Sequence, residues 1–450
     1  MPAADFSSVG LAPTTVLVPR TGIDLQKWAV IACDQYSSQP RYWHEVADYV
    51  GEAPSTLHLI YPEVFLGGSD APHRIASINR TMNRYRNEGI LSPCEPGVVL
   101  VERKTACGTC RSGILATLDL EAYDHRSGAT TLIRATEGTV VDRLPPRIRI
   151  REQAPLEVPH VMVLIDDPDN TVLSTVSNEH GRVLYDFELM KGGGRVRGTL
   201  VREGDALARM VQALGALATP QRMQQRYGAR GSHPLLYAMG DGNHSFATAK
   251  MVWENIKAHT SNRAALAGHP ARYALAEIIN IHDPSLHFEP IHRFLHDTVY
   301  DLPQRLEAFL TAQGSPAQLN RFASETDARN ALVREGGGAR QTLVLVHHHT
   351  WYTVTIESPR FTLEVGVVQS FLDSCIKTFR GAMVDYIHGD DTVRELCTRS
   401  DTTGFFLPAF TKQDLFRTIL LDGALPRKSF SMGSANQKRF YLECRSIDGN

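Results

Sequence analysis

The stretch Leu235-Leu236-Tyr237-Ala238-Met239-Gly240-Asp241-Gly242-Asn243-His244-Ser245 decides the fold of this chain. Its first five residues form an apolar run with the length and composition of a buried strand. The helical spacing i, i+3, i+4, i+7 follows in Ala249, Val252, Trp253 and Ile256. A strand that turns tightly into an amphipathic helix is a common unit of α/β proteins. The sequence therefore predicts an α/β fold whose central turn lies at residues 240–245.

The polar residues of this turn are candidates for an active site. Free N–H groups and the positive end of the helix dipole favour an anion, and Gly242 lets a phosphate approach the backbone. Asp241 suits Mg²⁺ or a substrate hydroxyl, and His244 can donate to phosphate or move a proton. In the alternative interpretation, Asp241, Asn243 and Ser245 only build the turn and cap the helix.

A second polar cluster comprises Arg134-Ala135-Thr136-Glu137-Gly138-Thr139, with Asp142 and Arg143 shortly after it. A buried Glu137 beside an arginine could serve as a general base, or guanidinium and hydroxyl groups could hold a phosphate. A surface loop with incidental ion pairs is the alternative. The run Gly192-Gly193-Gly194-Arg195 lacks the complete phosphate-loop pattern, so we interpret it as a hairpin.

The patterns that suggest metal sites are incomplete. Cys107-Gly108-Thr109-Cys110 is a single pair without the further ligands that zinc requires, so a turn is the better interpretation. His347-His348-His349 alternates between the two faces at the predicted end of a strand, which leaves at most two histidines for one ion. Neither pattern predicts a structural metal.

Length and composition restrict the class of protein. A chain of 450 residues exceeds the size of one hydrophobic core, and we expect three subdomains at 1–150, 151–297 and 298–450. The net charge of -2 argues against a nucleic-acid partner. No apolar stretch approaches the roughly 18 residues of a membrane span, and scattered cysteines favour a reducing compartment. We therefore expect a cytoplasmic protein with neither a nucleic-acid partner nor a membrane partner.

Other segments predict further elements. Val98–Arg103 and Ser112–Leu120 form a predicted hairpin, and Leu57–Tyr61 a predicted short strand. The charged segment Thr219–Ser232 is predicted to be an exposed connection. Apolar spacing predicts a strand over Arg272–Ile281 and a late hairpin that starts near Thr342.

The chain resembles the family called domain of unknown function 1015 over nearly its whole length. The stretches that carry the resemblance are Lys27-Trp28-Ala29-Val30 through Asp34-Gln35-Tyr36, Tyr61-Pro62-Glu63-Val64, residues 134–139, residues 240–245, and Leu425-Pro426-Arg427-Lys428-Ser429. The family's central motif, Asp-Gly-His-His-Arg, is shared with ParB-like folds and the free-serine kinases of archaea. The resemblance implies a ParB/sulfiredoxin-like core with a mixed sheet and added subdomains.

The family motif matches this chain at three of its five positions. Asp241, Gly242 and His244 match, whereas Asn243 replaces the first histidine and Ser245 replaces the arginine. The missing guanidinium removes a bidentate phosphate contact, for which Arg143 or Arg195 is the expected replacement. The resemblance implies that Asp241 holds a metal or the hydroxyl, Glu137 acts as base, and His244 with Arg143 binds phosphate. The remaining residues implied to bind substrate or phosphate are Gly242, Asn243, Ser245, Arg134 and Thr139.

The resemblance also implies phosphoryl transfer between a nucleotide and serine or a similar hydroxylated metabolite. The expected cofactors are Mg²⁺ and ATP or ADP, and the expected partners are a small-molecule substrate and the nucleotide. Two alternatives stay open: a phosphoserine phosphatase at the same site, and a non-enzymatic nucleotide- or metabolite-binding regulator.

Overall fold

The computed structural model describes residues 5–105, 108–126, 128–202, 204–229, 231, 233–296, 301–335, 340–379, 381–399, 401–409, 411–433 and 435–449. The chain forms two units, of which the first is discontinuous in sequence. The first unit comprises Met1–Leu286 with Gly433–Asn450, and the second comprises His287–Met432.

The first unit is built on a large sheet whose strands come from distant parts of the sequence. Its strands before the second unit are β1 (Leu11–Ala12), β2 (Leu17–Pro19), β3 (Val30–Ile31), β4 (Leu91–Pro93), β5 (Gly97–Lys104), β6 (Cys110–Asp119), β7 (Tyr123–Asp124), β8 (Ile133–Arg134), β9 (Leu156–Glu157), β10 (Met162–Ile165), β11 (Arg182–Glu188), β12 (Arg195–Arg202), β13 (Tyr237–Asp241) and β14 (Tyr273–Asn280). The large sheet has the order β11-β12-β5-β6-β14-β10-β13-β8-β7, and β1 pairs with β6. Parallel pairs β10/β14, β13/β8 and β8/β7 stand beside antiparallel ones, so the predicted mixed sheet is confirmed.

This strand order corrects the predicted division at residue 150. Strands β5 and β6 precede that position, yet they lie in one sheet with β10, β13 and β14, which follow it. A boundary there would cut through the sheet. The second predicted boundary, near Thr298, lies outside the described residues.

Helices cover both faces of the large sheet. They are α1 (Leu25–Trp28), α2 (Pro40–Val50), α3 (Ala71–Asn87), α4 (Leu144–Arg151), α5 (Leu173–Ser177), α6 (Asp205–Leu217), α7 (Pro220–Tyr227) and α8 (Asn243–His259). Successive strand residues point to opposite faces. Accordingly, Val98 of β5 belongs to the core that contains Trp253 of α8, while Val99 belongs to the core that contains Trp43 of α2.

The second unit contains an antiparallel sheet. Its elements are β15 (Phe288–His296), α9 (Leu302–Ala312), β16 (Ala317–Phe322), α10 (Glu325–Glu335), β17 (Gln341–His347), β18 (Thr350–Ile356), α11 (Glu364–Thr378), β19 (Met383–His388), α12 (Asp390–Leu396), β20 (Thr403–Phe406), α13 (Lys412–Leu421) and β21 (Phe430–Met432). The strand order is β16-β18-β17-β20-β15-β19, and β21 pairs with β15. The predicted late hairpin is confirmed as β17 and β18.

After the second unit the chain returns to the first, and we call residues 433–449 the return segment. It contains β22 (Phe440–Tyr441), which pairs with β3, and β23 (Arg445–Ser446), which pairs with β9. The indole Nε1 of Trp28 donates a hydrogen bond to the Leu442 carbonyl at 2.8 Å. The return segment is therefore an integral part of the first unit.

A buried ionic network joins the return segment to the large sheet. Arg439 contacts the carboxylate of Glu277 on β14 and donates to Glu443 Oε2 at 2.6 Å. All three side chains are almost completely buried. Gly113 on β6 makes room for them, because a Cβ there would lie 2.6 Å from Glu277 Oε1. The sheet thus leaves space for charged side chains inside its own core.

Most predicted elements are confirmed, and two are wrong. β5 and β6 form the predicted hairpin, and β14 matches the predicted strand. Leu57–Tyr61 is not a strand: Thr56–Leu59 is a 3-10 helix, capped by the Ser55 hydroxyl. Within Thr219–Ser232, helix α7 replaces the predicted connection and buries Met223 and Tyr227.

The helices and the cysteines of the described residues were also the subject of predictions from the sequence. None of their helices has the length and apolar character needed to cross a bilayer. The six cysteines among them form no disulfide with one another.

Candidate active site

The predicted strand, turn and helix are confirmed as β13, Gly242 and α8. Gly242 has φ 78°, in the left-handed region that favours glycine. A Cβ at this position would also lie 3.0 Å from Val161 Cγ2. The Gly242 N–H donates to Asp241 Oδ1 at 2.9 Å. The turn therefore needs glycine and holds the Asp241 carboxylate at the N-terminus of α8.

The second carboxylate oxygen of Asp241 faces a lysine from the return segment. Lys438 Nζ lies 3.1 Å from Asp241 Oδ2, and the two side chains are only 14% and 18% exposed. This ion pair joins residues almost 200 positions apart in sequence. Sequence reasoning missed Lys438, which lies in an unremarkable polar stretch.

The second predicted cluster contacts the same turn. Asn243 Nδ2 donates to Thr136 Oγ1 at 3.4 Å, and the Val140 N–H donates to His244 Nε2 at 3.3 Å. Two buried oxygens here, Asn243 Oδ1 and Thr139 Oγ1, have no hydrogen-bond partner among the described residues. Buried polar atoms without a partner are costly. The turn and residues 136–140 thus form one polar site with hydrogen-bonding capacity left for a ligand.

His244 is held neutral. Burial, together with the smaller effects of the positive charges of Arg147 and Arg143, lowers its pKa to about 4. Because Nε2 accepts a hydrogen bond from Val140, the ring proton of the neutral form lies on Nδ1. His244 therefore offers one N–H donor at neutral pH.

Two further carboxylates lie beside this site. The Arg147 guanidinium on α4 contacts the Glu63 carboxylate and donates to the Arg143 carbonyl at 2.7 Å. Burial raises the pKa of the Cys33 thiol, and the charges of Asp34 and Glu63 raise it further. Cys33 therefore lies close to both carboxylates. Asp34 and Glu63 belong to stretches that carried the family resemblance, although no role was predicted for either residue.

His160 connects Asp34 to the central turn. Its Nε2 lies 4.0 Å from Asp34 Oδ2, and its Nδ1 shares a 2.9 Å hydrogen bond with the Tyr441 hydroxyl. Its Cδ2 lies 3.5 Å from the position that a Cβ on Gly242 would take. No motif pointed to His160, because a single histidine before an apolar strand carries no sequence signal.

Two of the arginines considered for phosphate binding are occupied elsewhere. Arg134 is buried and donates to the backbone carbonyls of Thr131 at 2.9 Å and His233 at 2.8 Å, so it supports the scaffold. Arg195 pairs with Asp186 across an exposed hairpin. Its strand β12 lies five strands from β13, about 24 Å at about 4.8 Å per strand. Arg195 therefore cannot replace the guanidinium that the family motif has at position 245.

The other predicted residues lie near the turn. Arg143 is exposed, and its charge acts on His244. Ser245 lies half-buried in the first turn of α8, and Glu137 lies half-buried next to Thr136. The catalytic and binding roles of these residues stay predictions.

The metal role predicted for Asp241 concerns a carboxylate that already has two partners. Both carboxylate oxygens are engaged, one by the Gly242 N–H and one by the Lys438 ammonium. No group of three or more histidine, cysteine, aspartate or glutamate side chains within the described ranges is placed to hold a metal ion. Asp241 is therefore the partner of a lysine, and its role as a metal ligand stays a prediction.

The histidine run and the glycine run that the sequence analysis singled out both lie in turns between strands. His348 and His349 both have positive φ and form the turn between β17 and β18, so the predicted alternation of faces is wrong. Residues 189–194 form the predicted hairpin between β11 and β12, where Leu189 N donates to the Gly194 carbonyl at 2.7 Å. Cys107 lies outside the described residues.

The lowered pKa of His244 predicts a pH-dependent stability. The unfolded chain takes up a proton near the ordinary pKa of 6.5, whereas folded His244 takes it up only near 4. The stability present above pH 6.5 should therefore fall as the pH decreases from 6.5 to 4, and this contribution should change no further below 4. Urea denaturation at several pH values should show a shallower loss for His244→Gln over this window.

The control for this prediction is His180→Gln, which alters an exposed histidine. It should keep the pH dependence of the wild type. If His244→Gln and wild type lose stability in parallel from pH 6.5 to 4, His244 is not held neutral by the fold.

This chain is similar to one known protein family and to several solved structures. A family model described as "Protein of unknown function (DUF1015)" matches residues 17–375. No curated protein gives a significant match.

Several solved structures are similar over much of the chain at low identity. A free serine kinase in complex with AMP is 11% identical, with TM-score 0.38, over 74% of this chain and 92% of its own. A variant of free serine kinase in complex with ADP has the same identity and coverage, with TM-score 0.39. A conserved hypothetical protein from Pyrococcus furiosus is 11% identical, with TM-score 0.35, over 74% of this chain and 94% of its own.

Proposed function

The chain belongs to the DUF1015 family of proteins of unknown function, and we propose that this member is a small-molecule phosphotransferase. Its proposed substrates are a nucleotide, ATP or ADP, and free serine or a similar hydroxylated metabolite. The observation that supports this most directly is the combination at the N-terminus of α8. An ion-paired carboxylate, a neutral histidine and an unpartnered amide oxygen meet there.

The helix N-terminus favours the phosphate. Its free N–H groups and the positive end of the dipole attract an anion. His244 adds its Nδ1–H as a neutral donor. Exposed Arg143 adds positive charge nearby. These groups stabilise negative charge, which is the main requirement of phosphoryl transfer.

The carboxylates of Asp241 and Glu137 act on the acceptor hydroxyl in this proposal. In the proposed step, the acceptor hydroxyl oxygen bonds to the terminal phosphorus while the bond from that phosphorus to the bridging oxygen of the nucleotide breaks. Asp241 orients the hydroxyl, and its proton passes to the Glu137 carboxylate.

The proposed function is tested by phosphorus NMR of the purified protein. ATP, ADP or pyrophosphate is mixed with Mg²⁺ and a pool of hydroxylated metabolites that includes serine, and phosphoserine is incubated alone. A new phosphomonoester signal is the expected result. The compound whose phosphorus signals decrease at the same time is the phosphate donor. Release of inorganic phosphate from phosphoserine alone would instead indicate a phosphatase. Bound nucleotide without any turnover would indicate a binding protein.

A further inference from the structure

The return segment supplies a charge to the proposed phosphate site. We infer that Lys438 is the residue that contacts the transferred phosphate, in place of the arginine that the family motif has at position 245. This inference deepens the proposed function and rests on it. It assigns a binding role to a residue outside the range 17–375 that the family model matches.

Lys438 is built into the site and is not a mobile surface lysine. Its side chain is only 14% exposed, and Nζ lies 3.1 Å from Asp241 Oδ2. The next residue, Arg439, is fixed by Glu277 and Glu443 in the core. Two positions later, Tyr441 pairs with Val30 of β3 and shares a hydrogen bond with His160. Fixed neighbours hold the ammonium beside the start of α8.

The position of the ammonium suits a phosphate. Asp241 immediately precedes Gly242, the N-cap of α8, so a cation on Asp241 lies beside the free N–H groups of the helix. A lysine ammonium has three donors and binds phosphate as a point charge. One donor faces Asp241, which leaves capacity for phosphate oxygens.

The other cations considered for this role are engaged or exposed. Arg147 contacts Glu63, and Arg134 donates to backbone carbonyls. Arg195 lies on a distant strand, and Arg143 is exposed. Within the part of the chain that the structure describes, Lys438 is thus the largely buried cation whose ion pair lies in the turn itself.

The electrostatic balance supports the same assignment. In the absence of phosphate, Lys438 and Asp241 neutralise each other. A dianionic phosphate entering at the helix N-terminus brings negative charge close to the Asp241 carboxylate, which would repel it. An ammonium placed between the two lowers this repulsion and lets the carboxylate remain charged toward the acceptor hydroxyl.

The test measures phosphate binding separately from turnover. Lys438→Gln removes the charge but keeps a hydrogen-bond donor for Asp241, and Lys438→Arg restores a charge. Binding of ADP and of inorganic pyrophosphate is measured by calorimetry, and the KM values for donor and acceptor by steady-state kinetics. We expect Lys438→Gln to raise Kd and donor KM about tenfold or more. Lys438→Arg should stay within about threefold of wild type, and the acceptor KM should change less than threefold for both variants.

The matched control is Lys250→Gln. Lys250 on α8 is also 14% exposed and ion-paired, to Glu254 at 2.8 Å, but it lies two turns away from the helix start. It should leave ADP and pyrophosphate binding unchanged. Circular dichroism checks folding, and Lys438→Met repeats the test if Lys438→Gln fails to fold.

The outcomes separate this inference from the proposed function. If wild type transfers phosphate and Lys438→Gln keeps its donor KM and Kd, the role of Lys438 is wrong while the phosphotransferase stands. If wild type binds ADP or pyrophosphate without turnover and Lys438→Gln loses that binding, the phosphate-binding role of Lys438 is supported and the phosphotransferase function is wrong. If wild type binds neither probe and transfers nothing, both proposals fall.

Discussion

Asp241→Asn is expected to lower kcat by about 100-fold or more, the loss typical when a positioned catalytic group is removed. Asparagine keeps an oxygen that can accept from the Gly242 N–H, so the turn should persist. The variant loses the negative charge that pairs with Lys438, and in the proposed mechanism this charge also orients the acceptor hydroxyl. Single-turnover measurements with saturating nucleotide and acceptor would give the effect on the transfer step itself.

The control is Asp119→Asn. Asp119 is also largely buried and ion-paired, to Arg272 Nη2 at 2.6 Å, but it lies at the end of β6 away from the turn. It should change stability and leave kcat within about threefold. If Asp241→Asn turns over as fast as wild type and binds ADP equally well, the active site lies elsewhere.

Arg439→Met is expected to reduce the free energy of unfolding of the first unit by about 3–5 kcal/mol. Methionine fills much of the space of the guanidinium but removes the ion pairs that Arg439 makes with the buried carboxylates of Glu277 and Glu443. Burial raises the pKa of Glu277, and the positive charges of Arg439, Arg111 and Arg103 lower it, with Arg439 contributing most of the lowering. Urea denaturation followed by tryptophan fluorescence reports on the first unit through Trp28, Trp43 and Trp253.

The comparison variant is Arg41→Met, which breaks the exposed pair of Arg41 with Glu45. The Arg41 side chain is 92% exposed, so the change should cost less than about 0.5 kcal/mol. A loss below about 1 kcal/mol for Arg439→Met would show that the buried carboxylates do not depend on this arginine.

Local patterns predicted the centre of the fold well because they depend on neighbours in sequence. Leu235–Met239 is buried, Ala249, Val252 and Trp253 lie on the buried face of α8, and the turn between them requires glycine. Helix α7 had a signal that the prediction missed. Thr219 caps it, Pro220 follows at the first position, and Met223 and Tyr227 recur at i and i+4.

Contacts between distant segments could not be predicted from one sequence. Nothing around Lys438 distinguishes it from other polar positions, and long-range contacts, such as the pairings of β22 with β3 and of β23 with β9, hold the return segment in the first unit. The subdomain boundary at residue 150 failed for the same reason, since strand order in a sheet is set by long-range pairing. The stretches containing Asp34 and Glu63 carried the family resemblance without a predicted role, and the Arg147 and His160 contacts place them beside the site.

The discontinuity of the first unit affects the order in which the site is made during translation. Asp241 leaves the ribosome 197 residues before Lys438, an interval of about 10–40 s at about 5–20 residues per second. During that time the second unit is synthesised, while the buried carboxylate of Glu277 still awaits Arg439. A nascent chain can therefore form the large sheet early but acquires its ammonium and its core counter-ion together, late in synthesis. An mRNA truncated within the second unit would encode a product that contains Asp241 and His244 but lacks Lys438.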